Sequence, residues 1–173
     1  MFTMKTNVVL LGGLALTALA FWASRQRHTL QTEVELQASP QRVWEVLTDT
    51  AAYPEWNPVI TRLEGELQPG QTIEFENHSG GRRMVFHPVI LRAIPARELR
   101  WLGHLWLPHL FDGTHFFLLD RTATGGTRLR HGEHFRGILV PFVRGWLNSS
   151  VRQGFEQINA ALNTRAGATP GPR

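Results

Sequence analysis

The densest chemistry in the chain lies in TRLRHGEHFRG, residues 127–137. Read as a strand, its two-residue period puts Arg128, Arg130, His134 and Arg136 on one face and Leu129, His131, Glu133 and Phe135 on the other. Three arginines mark the first face as solvent. His131 and Glu133 then project among apolar neighbours, where a carboxylate is costly unless it is paired or hydrogen-bonded. Three readings stay open on residue type alone. The two form a satisfied structural pair bracing a neighbouring element, or they orient a polar group of a ligand, or they act as a general acid and base.

Other chemistries find less support. The chain has no cysteine, which excludes disulfides, thiolate metal sites and cysteine nucleophiles. Eight histidines invite a metal reading, yet His131 and His134 are three apart on a strand and face opposite sides. His104, His109 and His115 lie around a turn without ligand spacing, so no metal and no cofactor is expected. No G-x-S-x-G or H-E-x-x-H occurs, and the Gly80-Gly81 and Gly125-Gly126 pairs read as hairpin turns rather than phosphate loops.

The 173 residues, 42% hydrophobic and 18% charged, suit one globular domain with a short appendage. The sequence pI of 10.9 is misleading as a nucleic-acid signal, because nearly every cation is an arginine and no dense basic tract exists. No nucleic-acid partner is expected. Residues 33–76 hold nine acids and two arginines, and residues 82–173 hold thirteen arginines and five acids, a pattern suited to opposite charges on neighbouring strands.

Residues 6–24, TNVVLLGGLALTALAFWAS, carry no charge between Lys5 and Arg25. As a helix they would span about 28 Å, enough for a hydrocarbon core, with Trp22, Arg25 and Arg27 as an interfacial anchor. An uncleaved single-pass anchor of undetermined side is one reading; export after cleavage at Ala18-Leu19-Ala20 and a buried soluble helix are the others.

The remainder predicts an α+β order. TLQTEVELQAS alternates as a half-buried strand, with Leu30, Thr32, Val34 and Leu36 inward. Ser39 caps a helix that begins at Pro40 and turns Val43, Trp44 and Leu47 inward. AAYPEWNP, whose prolines end the helix, is followed by about six antiparallel strands. A C-terminal helix carries Val143, Leu147, Val151, Phe155, Ile158 and Leu162 as one apolar stripe. A sheet of that length curls, and only this helix is long enough to cover its concave face. Gly145, Ser149, Ser150 and Gly154 interrupt the helix with small residues, either for close contact with the sheet or to leave room for a ligand lined by Trp101, Phe117 and Trp146. The register of the strand over 111–122 is open, and with it the facing of His115 and Phe117.

Three stretches, ASPQRVWEVLTDTAAYPEWNPVI, LRWLGHLWLPHLFDGTHFFLL and GGTRLRHGEHFRGILVPF, give the chain a resemblance. Over about residues 30–165 it resembles the START/Bet v 1-like helix-grip (SRPBCC) superfamily, in particular its bacterial polyketide cyclase/dehydrase and lipid-transport-like branch. Hydropathy sets residues 1–28 apart as anchor or signal, and composition sets 166–173 apart as a disordered tail; the resemblance implies 29–165 as a helix-grip ligand-binding domain. It implies that Tyr53 and Trp56 support the long helix near one end of a cavity, with Trp56 either packing or touching a ligand. The cavity set is then Trp56, Trp101, Phe117, Leu129, His131, Glu133, Phe135, Trp146, Ser150 and Gly154. The leading expectation is binding or transport of a hydrophobic small molecule or lipid, taken from a membrane through the N-terminal helix. The alternatives are a cyclase/aromatase-like enzyme using His131 and Glu133, and a co-chaperone-like interaction module with a filled core whose protein partner is unknown.

Overall fold

A computed structural model describes residues 21–22, 25–79 and 82–168, so most of the apolar run over 6–24 and the final residues lie outside it. Among the described residues no helix is long and apolar enough to cross a membrane. The chain folds as strand β1 (Arg27–Leu36), helix α1 (Pro40–Thr48) and a short turn into α2 (Tyr53–Trp56). Seven strands follow: β2 (Ile60–Glu64), β3 (Glu74–Ser79), β4 (Arg82–Phe86), β5 (Val89–Ile94), β6 (Glu98–His104), β7 (Asp112–Arg121) and β8 (Thr127–Arg136). Helix α3 (Val140–Trp146) runs through a wide turn at 147–151 into α4 (Arg152–Gly167), whose buried Ala166 lies past the expected domain end at 165.

Seven strands rather than six follow the short helices because RMVFHPVILRAI splits at His87-Pro88: a proline has no N–H to give to a ladder. All pairing is antiparallel. β1-β8-β7-β6-β5 form one sheet and β2-β3-β4 another, joined by a bridge between Thr72 and Val89. Together they make the expected curved surface. Its outer face carries the anticipated charge pairs, Arg130 with Asp120 at 2.8 Å and Arg128 with Glu35 at 3.3 Å. These are exposed and contribute little individually.

The helical layer closes the inner face. Ser39 accepts from the Arg42 N–H as the N-cap of α1, and Val43, Val46 and Leu47 are buried. Tyr53 donates its hydroxyl to the Leu47 carbonyl at 2.9 Å and packs 5.1 Å from the Trp56 ring. Asn57 stops the turn by accepting from the N–H groups of Val59 (3.0 Å) and Ile60 (2.8 Å). An ion pair between Glu55 and Arg165, at 2.7 Å, ties this corner to α4. AAYPEWNP thus props the long helix.

That helix keeps its stripe by a device absent from the sequence reading. Val143, Leu147, Val151 and Phe155 recur every fourth residue, which on a regular helix would drift by about 40° per step. The Arg152 N–H reaches back five residues to the Leu147 carbonyl, and this widened turn holds the four on one side. Leu147 and Phe155 are buried and pack with Leu30, Phe135 and Val140, while Ile158 and Leu162 join the main core with Leu36, Val43, Trp101 and Phe117.

Asn57→Ala removes the acceptor of two backbone N–H groups, one of them buried. Urea unfolding should show a loss of about 1–3 kcal/mol with an unchanged m-value.

Candidate functional site

Strand pairing fixes what faces the helix. Glu133 of β8 lies opposite His115 of β7 and Leu30 of β1; His131 lies opposite Phe117 and Thr32; Trp101 of β6 lies opposite His115. The register left open by the sequence therefore turns His115 and Phe117 inward, beside Leu129, His131, Glu133 and Phe135.

These residues make a polar row through an apolar interior. The Thr32 hydroxyl donates to the His131 carbonyl at 3.0 Å, so its oxygen is free to accept the Asn159 side-chain N–H at 2.9 Å. That fixes the amide of Asn159: its oxygen faces His131 Nδ1, 2.7 Å away, and accepts the imidazole proton. A neutral His131 then has a bare Nε2, which accepts from His115 Nε2 at 2.9 Å. His115 is left with Nδ1 as an acceptor, and Glu133 Oε2 stands 3.5 Å from it. A protonated carboxyl faces that lone pair favourably; a carboxylate would not.

The electrostatics agree with this order of protons. Burial pushes the Glu133 carboxyl up to about 8, with only a weak opposing pull from the nearby His134. Burial holds His115 down to about 3. Burial also holds His131 well below its usual range, with His115 adding to the effect and the bond to Asn159 opposing it. The cause is visible in the packing. The Trp101 ring stacks on His115 at 4.6 Å and 3°, Phe117 and Phe155 flank His131 at 4.3 Å each, and Phe155 meets His115 edge-on at 5.2 Å. His131 is fully buried, whereas the Glu133 side chain keeps 20% of its surface exposed. The row therefore opens at Glu133. Gly113 makes that position possible, because a Cβ there would collide with the Glu133 carboxylate.

The structure gathers Trp101, Phe117, Leu129, His131, Glu133 and Phe135 as expected, and departs from the expectation on the helix. Trp146 is 46% exposed and Ser150 is exposed on the outer side, because the wide turn commits Leu147 and Val151 to the inside. Gly154 faces Val59, 3.7 Å from where its Cβ would stand, rather than the strands. The room these residues were expected to leave is taken by Phe155. Trp56 is half-buried against Tyr53, and its indole N–H has no partner. Clefts of about 460 and 290 Å³ lie on the outer surface, not between sheet and helix. Asn159, Thr32, Phe155 and Gly113 were not singled out from sequence as site residues. Asn159 left a signal, a polar side chain one turn beyond Phe155 within an apolar stripe.

The proton inventory predicts a stability optimum. From pH 4.5 to 8 the folded chain holds a Glu133 proton that the unfolded chain releases, so this group lowers stability as pH rises. From about pH 3 to 6.5 the unfolded chain protonates His115 while the folded chain does not, so that group raises stability with pH, and His131 acts in the same direction. His134, lowered by partial burial and by Arg100, acts in the same direction, so three rising contributions outweigh one falling contribution below pH 6.5, and above it Glu133 remains. The melting temperature should peak near pH 6.5 and fall toward pH 8. Glu133→Gln should remove the alkaline fall alone; a fall that persists in this variant would assign it to another group.

Comparison with known proteins follows this geometry. A family model described as polyketide cyclase / dehydrase and lipid transport matches residues 27–167. Among solved structures, the Zhui aromatase/cyclase from Streptomyces sp. R1128 superposes with a TM-score of 0.67 at 17% identity, covering 82% of this chain and 94% of that one. Ara h 8.0201 gives a TM-score of 0.64 at 18% identity, with 82% and 98% covered. The di-domain ARO/CYC BexL gives 0.69 at 15% identity over 83% of this chain, and the chain spans about half of that protein, 51%. At these identities the likeness is one of fold. A comparison with curated proteins gives no match. The family match extends from the first residue of β1 to the last of α4, and on that ground the chain belongs to the polyketide cyclase/dehydrase and lipid-transport family of the helix-grip (SRPBCC) superfamily.

Proposed function

We propose that the chain binds a hydrophobic small molecule or lipid between the concave sheet face and the C-terminal helix, and that Glu133, as a neutral acid, donates a hydrogen bond to an oxygen of that ligand. The observation that carries the reading is the place of Glu133 at the open end of the row. The other members bond one another, while the Glu133 carboxyl oxygen stands 3.5 Å from His115 Nδ1, too far for its proton to be committed there. Space is left at Gly103 of β6, where a Cβ would meet only Pro88, at 3.7 Å. An apolar body would lie along Trp101, Phe117 and Phe135 with its polar group toward Glu133. Deeper entry requires Phe155 and the widened turn of the helix to move outward.

A cyclase-like reading has its own support, since a carboxyl pushed up to about 8 holds a proton near neutral pH and can lend it as a general acid. Glu133→Gln separates the two, because an amide still donates a hydrogen bond but cannot transfer a proton. Ligand affinity should be kept, and any turnover of a polyketide-like substrate lost.

Most of the apolar run over 6–24 lies outside the described residues, and we propose the run as a membrane anchor: full-length chain should then resist carbonate extraction. For the interior site, Gly103→Phe should weaken binding of an environment-sensitive hydrophobic probe by tenfold or more, about 1.4 kcal/mol, at an unchanged melting temperature. Ser150→Leu, on the exposed side, should leave probe affinity unaltered. Equal affinity in wild type and Gly103→Phe would contradict an interior ligand and favour an interaction module.

A further inference from the structure

One end of the domain carries a second arrangement. On the outer face, Arg27 of β1 pairs directly with Arg136 of β8, which pairs with Asp112 of β7, which pairs with His104 of β6. Asp112 is buried and already shared: it bonds His104 at 2.6 Å, the His109 N–H at 2.9 Å and Arg136 at 3.1 Å. Arg27 has no acidic partner among the described residues, and residues 1–26 contain no acid. Two arginines directly opposite each other on neighbouring strands oppose folding. Together with Arg25, His109 and Gly137 they line the cleft of about 460 Å³.

Exposed apolar side chains lie on the loop that carries His109 and on the helix that follows Gly137. The β6–β7 loop, closed by the Leu105 N–H on the Phe111 carbonyl at 2.9 Å, lifts Trp106 to 78% exposure and Leu107 to 66%. Trp106 does so at φ 62, a region that side-chain-bearing residues rarely adopt. The loop packs on the start of α3 through the Ile138 N–H to the His109 carbonyl, at 3.2 Å, and Phe142 there is 73% exposed. Arg144 reaches Gln26 at 3.1 Å, so α3 stands beside the point where the uncharged run 6–24 meets the domain. Cations and protruding apolar residues thus converge at one end, beside Arg25 and Gln26.

We infer that this end is a docking surface for an anionic phospholipid membrane. The cleft of Arg25, Arg27 and Arg136 takes a headgroup phosphate, and Trp106, Leu107 and Phe142 enter the interface. The charges of Arg25 and Arg27, which have no acidic partner among the described residues, complement the anionic headgroup beside the Asp112-paired Arg136, and the exposed apolar residues complement the acyl boundary. The inference rests on surface residues and stands whether or not the interior holds a ligand.

The test uses the full chain in liposomes of phosphatidylcholine alone or mixed with phosphatidylglycerol, carrying lipids brominated on their acyl chains. The fluorescence quenching lost in Trp106→Phe reports the depth of that residue. In anionic liposomes Trp106 should be quenched, and the Arg25→Gln/Arg27→Gln double variant should need about tenfold more anionic lipid for the same quenching. High salt should reverse the effect. An anchor alone would quench Trp106 equally in both lipid compositions and ignore the arginines, which would overturn the proposal. Displacement of the His109 signals by inorganic phosphate, with Trp106 unquenched in anionic liposomes, would also overturn it and leave a small-anion site.

Discussion

A hydrogen-bonded row through the core constrains most of this domain. Thr32, Asn159, His131 and His115 occupy positions that an apolar residue would fill more cheaply, and an unpaired polar group there would cost about 1–3 kcal/mol. The row escapes that penalty because each donor meets one acceptor in a fixed direction, from the His131 carbonyl outward to His115. It also ties three strands to the C-terminal helix. β1 supplies Thr32, β8 supplies His131 and Glu133, β7 supplies His115, and α4 supplies Asn159. A shift of α4 along the sheet would strand these groups, so the row sets the helix position as much as the apolar stripe does.

The widened turn at 147–151 follows from that position. With Asn159 held at His131, Phe155 must lie against both imidazoles and Leu147 against Leu30 and Phe135. A regular helix cannot keep both on one side over these spacings. The extra residue in the turn resolves the conflict and rotates Trp146 and Ser150 outward. The segment before the turn holds the most exposed part of the helix, with Phe142 and Trp146 facing away from the core.

The outer framework was legible from residue patterns because it rests on local rules. Alternation placed both faces of β1 and β8, Ser39-Pro40 marked the start of α1, and the stripe from Val143 to Leu162 marked the covering helix. What failed to read through was cooperative. The facing of His115 depends on pairing with two neighbouring strands, so the ambiguous run FDGTHFFLL could not settle it alone. The lining assigned to Trp146, Ser150 and Gly154 assumed a uniform helix, and one widened turn undid it. The partner of His131 proved to be Asn159, 28 positions away, rather than its strand neighbour Glu133. Glu133 was turned inward, but its protonation depends on how deeply the assembled fold buries it, which alternation along one strand does not give.

The central claim is that Glu133 is a neutral acid at neutral pH, held so by burial. Its most direct test is a side-chain carbon-13 NMR titration of Glu133 in the folded, ligand-free protein, assigned by comparison with Glu133→Gln. The account predicts a midpoint near 8, with His115 and His131 showing no protonation through neutral pH. A Glu133 midpoint in the ordinary carboxylate range, about 4 to 5, would contradict it. The row would then end in a fixed charge rather than in a proton available to a ligand.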